Sequence, residues 1–187
     1  MVHRTLAELT SYAGHLRAAP ATHGTLALVV RRPRHAQREV LDEGVIDAAD
    51  GLVGDNWYAR ATSRAITAGR HLDAQVTVMS ARMVALLAED PAGQAEAGDQ
   101  LYVDLDLSHT NLPAGTRIVI GDEVVIEVSA RPHNGCAKFE RRFGADAVAF
   151  VNSEAGREMR LRGLNARVVT GGVVRPGDPV RRLDTRR

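Results

Sequence analysis

Apolar positions along the chain recur with two periods, and the shorter one dominates. Near the N-terminus Leu6, Leu9, Ala13 and Leu16 fall at helical spacing behind Thr5, a good N-cap side chain, so residues 5–18 read as one amphipathic helix ending before Pro20. From Gly24 the pattern changes. A dense apolar run, Thr25 to Val30, predicts a buried strand that Arg31, Arg32 and Pro33 stop. Residues 37–46 interrupt Val40, Leu41, Val45 and Ile46 with charges and Gly44, which predicts a less buried strand bent at the glycine. Residues 50–70 sustain neither period and read as a long ordered loop around the single tryptophan, Trp57.

Gln75 to Met79 predicts a short strand, and Ser80 caps a helix over 81–88 whose Met83, Val84, Leu86 and Leu87 face inward. Residues 89–99 read as a polar connection. Leu101, Val103, Leu105 and Leu107 then alternate with Tyr102, Asp104, Asp106 and Ser108, which predicts a strand over 101–108 with one wet face. Thr116 to Ile120 and Val124 to Ser129, joined by Gly121-Asp122, predict an antiparallel hairpin. Residues 137–162 carry Phe139, Phe143, Val148, Phe150, Val151 and Leu161 and read as two short helices. The end returns to strands at 166–169, 173–174 and 180, separated by Gly171-Gly172 and Pro176-Gly177 turns. Many short strands with few helices predict a mainly β fold with peripheral α-helices: a closed or nearly closed β-barrel, residues 24–182, after a helical lead-in, 1–23, and before a tail, 183–187.

Composition narrows the function classes. The 187 residues, 44% hydrophobic and 25% charged, suit one globular domain. The 24 Lys plus Arg nearly cancel the 23 Asp plus Glu, so no broad positive field recruits nucleic acid or an anionic membrane. Arg181, Arg182, Arg186 and Arg187 read as a frayed, solvated end. Charged residues interrupt the first twenty positions, and no stretch approaches the ~18 apolar residues of a membrane span, so a cytoplasmic address is expected.

The candidate chemistry lies in Arg131-Pro132-His133-Asn134-Gly135-Cys136-Ala137-Lys138. Cys136 is the one cysteine, which excludes an intramolecular disulfide and any four-thiolate metal site. Lys138 is the one lysine in a chain that otherwise writes its basic positions as arginine. An ordinary thiol, with pKa ~8.5, is only about 3% ionised at pH 7. A nearby ammonium or a helix N-terminus favours the thiolate, and Lys138 lies two residues away. His133 is placed either to handle a proton or as a turn residue. Gly135 would let backbone amides approach an anion or a sulfur species. Asp55 and Asn111 are suited to capping loop amides or to orienting a ligand. A buried, inert Cys136 remains open on these residues alone.

Taken in order, Gly24-Thr-Leu-Ala-Leu-Val-Val-Arg-Arg-Pro33, Gly51-Leu-Val-Gly-Asp55, Gln75-Val-Thr-Val-Met79, Asn111-Leu-Pro-Ala-Gly-Thr-Arg-Ile-Val-Ile-Gly121, Gly135-Cys-Ala-Lys-Phe139 and Gly171-Gly-Val-Val-Arg-Pro-Gly-Asp178 resemble the MOSC family, the domain found at the C-terminus of molybdenum cofactor sulfurases. The resemblance spans about Gly24 to Arg182. It implies a β-barrel-like fold whose cysteine, here Cys136, carries sulfur or binds the molybdenum of a pterin cofactor. By motif position it also implies Asp55, Asn111, His133 and Lys138 as cofactor-contacting candidates. The pyridoxal-phosphate domain of the full sulfurases has no counterpart here, so no bound pyridoxal phosphate is expected, and sulfur transfer would need a separate cysteine desulfurase as donor. The sequence therefore predicts a sulfur carrier or molybdenum-cofactor-binding protein working through Cys136, with Lys138 and His133 in support. Two alternatives remain: a non-catalytic module binding a pterin or thiol-reactive metabolite, and a plain interaction barrel with a buried cysteine.

Overall fold

A computed structural model describes residues 3–183. Its centre is a closed barrel of seven strands, six of whose seven neighbouring pairs are antiparallel. In chain order the strands are β1 (His23–Arg31), β2 (Glu39–Leu41), β3 (Gly44–Asp47), β4 (Gly51–Leu52), β5 (Val76–Ser80), β6 (Leu101–Asp104), β7 (Arg117–Ile120), β8 (Val124–Val128), β9 (Leu164–Thr170), β10 (Gly172–Val174) and β11 (Pro179–Arg182). The order β11-β7-β8-β9-β5-β6-β1 closes through β11 on β1, and β2 is appended beside β1. Only β5 and β6 run parallel, because the connection between them crosses over through two helices. A small second sheet orders as β10-β3-β4.

The helices are α1 (Leu6–Ser11), α2 (Ala13–Arg17), α3 (Ser63–Thr67), α4 (Ala81–Leu87), α5 (Pro91–Ala95), α6 (Ala137–Phe143), α7 (Ala145–Asn152) and α8 (Glu154–Glu158). They create two apolar cores from the two faces of the same strands. Leu26, Val78, Leu101, Val103, Ile118 and Ile126 fill the barrel. Leu28, Val30, Met79 and Tyr102 point outward and are covered by Leu9, Met83, Leu87, Phe139 and Phe143. This outer layer corrects the reading of residues 101–108: Tyr102 is fully buried under helices rather than wet, and the strand stops at Asp104.

Other elements differ in detail. The lead-in breaks at Tyr12 into α1 and α2, with Thr5 and Glu8 forming a capping box at the start. Residues 50–70 contain β4, a 3₁₀ turn at Tyr58–Arg60 and α3. The polar connection 89–99 includes α5, capped by Asp90 ahead of Pro91. Residues 137–162 form three helices, not two, because Gly144 and Ser153 each end one helix and start the next. Arg181 and Arg182 belong to β11 rather than to a frayed end, while the remainder of the arginine-rich tail, residues 184–187, lies outside the described residues.

Candidate functional site

The segment leaving β8 reaches α6 through residues 129–136 and is pinned at almost every step. Asn165 on β9 donates to the carbonyls of Arg131 and Pro132, each at 3.1 Å. Asn152, the last residue of α7, accepts from the Gly135 amide at 2.9 Å and donates to its carbonyl at 3.1 Å. The Gly135 Cα packs so closely on α7 that a Cβ would meet Val151 Cγ2 at 2.9 Å. This glycine therefore serves close packing of the loop on a helix, not the approach of an anion over its backbone.

Cys136 stands at the N-cap position of α6 with extended backbone, and its thiol is exposed. Cys136 is therefore exposed rather than buried, which corrects the burial that the sequence left open. Burial, the largest single influence, pushes the thiol up, but the amides of Phe139 and Lys138 and the charges of Arg162 and Lys138 together outweigh it, so the thiol lies below its ordinary value. No side-chain hydrogen bond to Sγ closes by distance and angle, so these amides act as oriented dipoles that strengthen as the sulfur ionises. Lys138 is exposed, and its role at the sulfur is that of a nearby positive charge. Arg60, exposed on the 50–70 loop and without an ion pair among the described residues, is also close enough to feel the charge of Cys136.

Beneath this loop lies a buried chain of charges. Asp99 is fully buried, accepting from Arg162 Nη1 at 2.5 Å through Oδ2 and bonding His133 Nε2 at 2.7 Å through Oδ1. Burial alone would raise the Asp99 carboxyl, yet Arg162 and His133 hold it well below the usual carboxylate range. Burial and then the Arg162 charge depress the His133 imidazole against the opposing pull of Asp99, which leaves a neutral ring donating from Nε2. The Arg162 guanidinium sits 4.9 Å above the Phe139 ring of α6 and donates to the Ala97 carbonyl. Arg162 thus links the floor of the loop to the helix that carries Cys136.

The predicted site residues divide. Cys136 and Lys138 share one exposed corner, and His133, three residues away in the chain, turns its Nε2 down to Asp99. The Asp55 side chain is fully buried: Oδ2 accepts from the backbone N and Nε of Arg32, and Oδ1 from Arg32 Nη2 and the Trp57 amide. Asn111 donates to the carbonyls of Ala21 and Asp106 and accepts from Arg182 Nη1. Both spend their polar atoms on joining distant segments. Asp99, Arg162, Asn152, Asn165 and Arg60 are the additional residues. No local pattern marks them, because each acts on a segment far away in sequence.

A cavity of about 360 Å³ opens beside the same loop, lined by His109, His133, Arg131, Arg157, Arg160 and Arg162 among others, and Cys136 is not part of its wall. Among the described residues no group of three or more His, Cys, Asp and Glu side chains is arranged to hold a metal ion, and no helix is long and apolar enough to cross a membrane.

A family model for the MOSC domain matches residues 64–181. The chain belongs to the MOSC domain family. Solved structures with the same fold include the YuaD protein of Bacillus subtilis, 15% identical with TM-score 0.59 over 88% of this chain and 97% of that one. YiiM from Escherichia coli is 20% identical with TM-score 0.53 over 87% and 71%, and YiiM from Geobacillus stearothermophilus is 13% identical with TM-score 0.51 over 86% and 73%. No curated protein matches. At these identities the solved structures support the MOSC barrel alone. The matched residues cover β5 through Arg181 in β11 and include the Cys136 loop, and in the structure that cysteine stands at an exposed helix start, with Arg162 of the buried Asp99–Arg162 pair against Phe139 of the same helix.

Proposed function

We propose that this MOSC domain is a sulfur carrier whose Cys136 thiolate accepts the outer sulfur of a persulfide presented by a cysteine desulfurase. The exposed thiol held below its ordinary pKa on a rigidly pinned loop carries this reading. Cys136 Sγ attacks the outer sulfur of the donor R–S–SH, a new S–S bond forms as the donor S–S bond breaks, and the donor cysteine leaves as its thiolate. No external oxidant or reductant is consumed. Lys138 and the α6 amides stabilise the attacking charge, while Asp99 and Arg162 keep the loop in place. His133, neutral and bonded to Asp99, fits loop support better than proton transfer at the sulfur.

A second reading is favoured by Arg60 and Lys138, two cations near one thiol. They fit a pterin molybdenum cofactor in which Cys136 would supply the thiolate ligand and the two cations would face the cofactor's anionic groups. Such a cofactor, when bound, supplies oxygen-atom and electron transfer chemistry.

Incubation with a cysteine desulfurase and cysteine, followed by persulfide-specific labelling, tests the first reading. Labelling of the wild type and its loss in Cys136→Ser is the expected result, and equal labelling of the two proteins overturns it. Metal analysis of freshly purified protein tests the second: molybdenum near one equivalent, lost in Cys136→Ser, supports cofactor binding, and the absence of any metal difference between the two rejects it.

A further inference from the structure

We infer that the cavity beside residues 129–134 is a separate binding site for a small molecule bearing a phosphoryl group. Four arginines, Arg131, Arg157, Arg160 and Arg162, line it with His109 and His133, and no acidic residue does. Arg131 and Arg157 are exposed at the mouth and form no ion pair among the described residues. Arg162 is over nine-tenths buried, and although its Nη atoms are taken by Asp99, Ala97 and Met79, its Nε is buried without a partner. Arg160 is held at the wall by the Leu112 carbonyl, at 2.6 Å.

Arg131 and Arg157 carry charges that no carboxylate of the cavity wall neutralises, so they stabilise a bound polyanion more than the empty fold, and charge-assisted bonds strengthen as the ligand excludes water. Guanidinium forks match phosphoryl oxygens in pairs, and a dianion with three acceptor oxygens engages more of these donors than one carboxylate does. The volume lies in the range of small-molecule sites, roughly 300–1,000 Å³. It leaves room for an organic body behind the phosphoryl group. An open groove continues from the cavity through His109 and Arg157 to Glu154 and Glu158, so the body of the ligand would meet two carboxylates and is expected to carry hydroxyl or amino donors there. Cys136 lies outside the cavity wall, so this site stands independently of the sulfur-carrier reading.

Titration calorimetry and thermal unfolding with inorganic phosphate, glycerol 3-phosphate and succinate, at matched ionic strength against chloride, test the site on the full chain. Saturable binding of the two phosphates, with succinate weaker by about tenfold, is the expected result. The exposed pair Arg131→Gln and Arg157→Gln should weaken phosphate binding by more than tenfold, while Arg141→Gln on α6, outside the cavity, leaves it unchanged. Cys136→Ser should bind phosphate as the wild type does, whatever the outcome of persulfide labelling. Absence of saturable binding, succinate binding as tightly as phosphate, an unchanged arginine double variant, or loss of binding in Cys136→Ser each overturns the inference.

Discussion

Asp99 and Arg162, 63 residues apart in sequence, form a salt bridge at 2.5 Å with the carboxylate fully shielded from solvent. Breaking one half of such a pair leaves the other charge stranded, which costs about 3–5 kcal/mol. Asp99→Asn is therefore expected to destabilise the protein by that amount in urea unfolding. Combining it with Arg162→Met should recover part of the loss, because both charges are then gone. A double variant less stable than Asp99→Asn alone would show that Arg162 acts mainly through its stacking on Phe139.

The same cluster sets a pH dependence. His133 is depressed in the native state by burial and by Arg162, so the unfolded chain takes up a proton below about pH 6.5 that the native chain refuses. The unfolded state then binds more protons, and stability falls as pH drops through that window toward the lowered native value. His109, depressed by burial and by Arg160, adds the same sign. Asp99, held low in the native state, extends the loss below about pH 4, where the unfolded carboxyl protonates first. His133→Gln should flatten the slope of unfolding free energy between pH 7 and 5 in part, leaving the His109 share and the acid limb.

Much of the barrel is legible in the sequence, because alternation at Leu26, Val78, Leu101 and Val103 reports the inner face directly. Alternation also marks a second face but says nothing of what covers it, which is why Tyr102 reads as wet while Met83 and Phe139 lie on it. The unusual pairing of Cys136 with Lys138 is visible locally and leads to the exposed thiol. The support under that thiol is not, since Asp99, Asn152, Asn165 and Arg162 reach it across tens of residues and have no shared spacing. Asp55 stands out in the sequence as a polar residue in a glycine-rich loop, but only coordinates reveal that Arg32 occupies both of its oxygens.

Those occupied oxygens make Asp55 a test of brace against ligand contact. The Arg32 and Asp55 side chains are 7% and 0% exposed, so Asp55→Asn strands a buried guanidinium and should cost about 3–5 kcal/mol in chemical unfolding. The Trp57 amide bonds the same carboxylate, so the variant should also alter Trp57 fluorescence. A variant of wild-type stability would place Asp55 at a ligand instead.

Gly135 connects the packing of α7 to the chemistry of Cys136 most directly. A methyl group there meets Val151 Cγ2 at 2.9 Å and the Asn152 amide at 3.2 Å, so Gly135→Ala must displace either the helix or the loop. Overpacking of this kind costs about 1–3 kcal/mol. Displacing the loop also breaks the paired bonds to Asn152 and moves Cys136 relative to the α6 amides that lower its pKa. The rate of Cys136 alkylation measured against pH should then show a higher ionisation midpoint in Gly135→Ala than in the wild type. Removing the obstructing methyls with Val151→Ala in the same chain should bring both stability and midpoint back toward wild type. Recovery of stability without recovery of the midpoint would separate the two roles and assign the thiol's acidity to charge alone, chiefly Arg162 and Lys138.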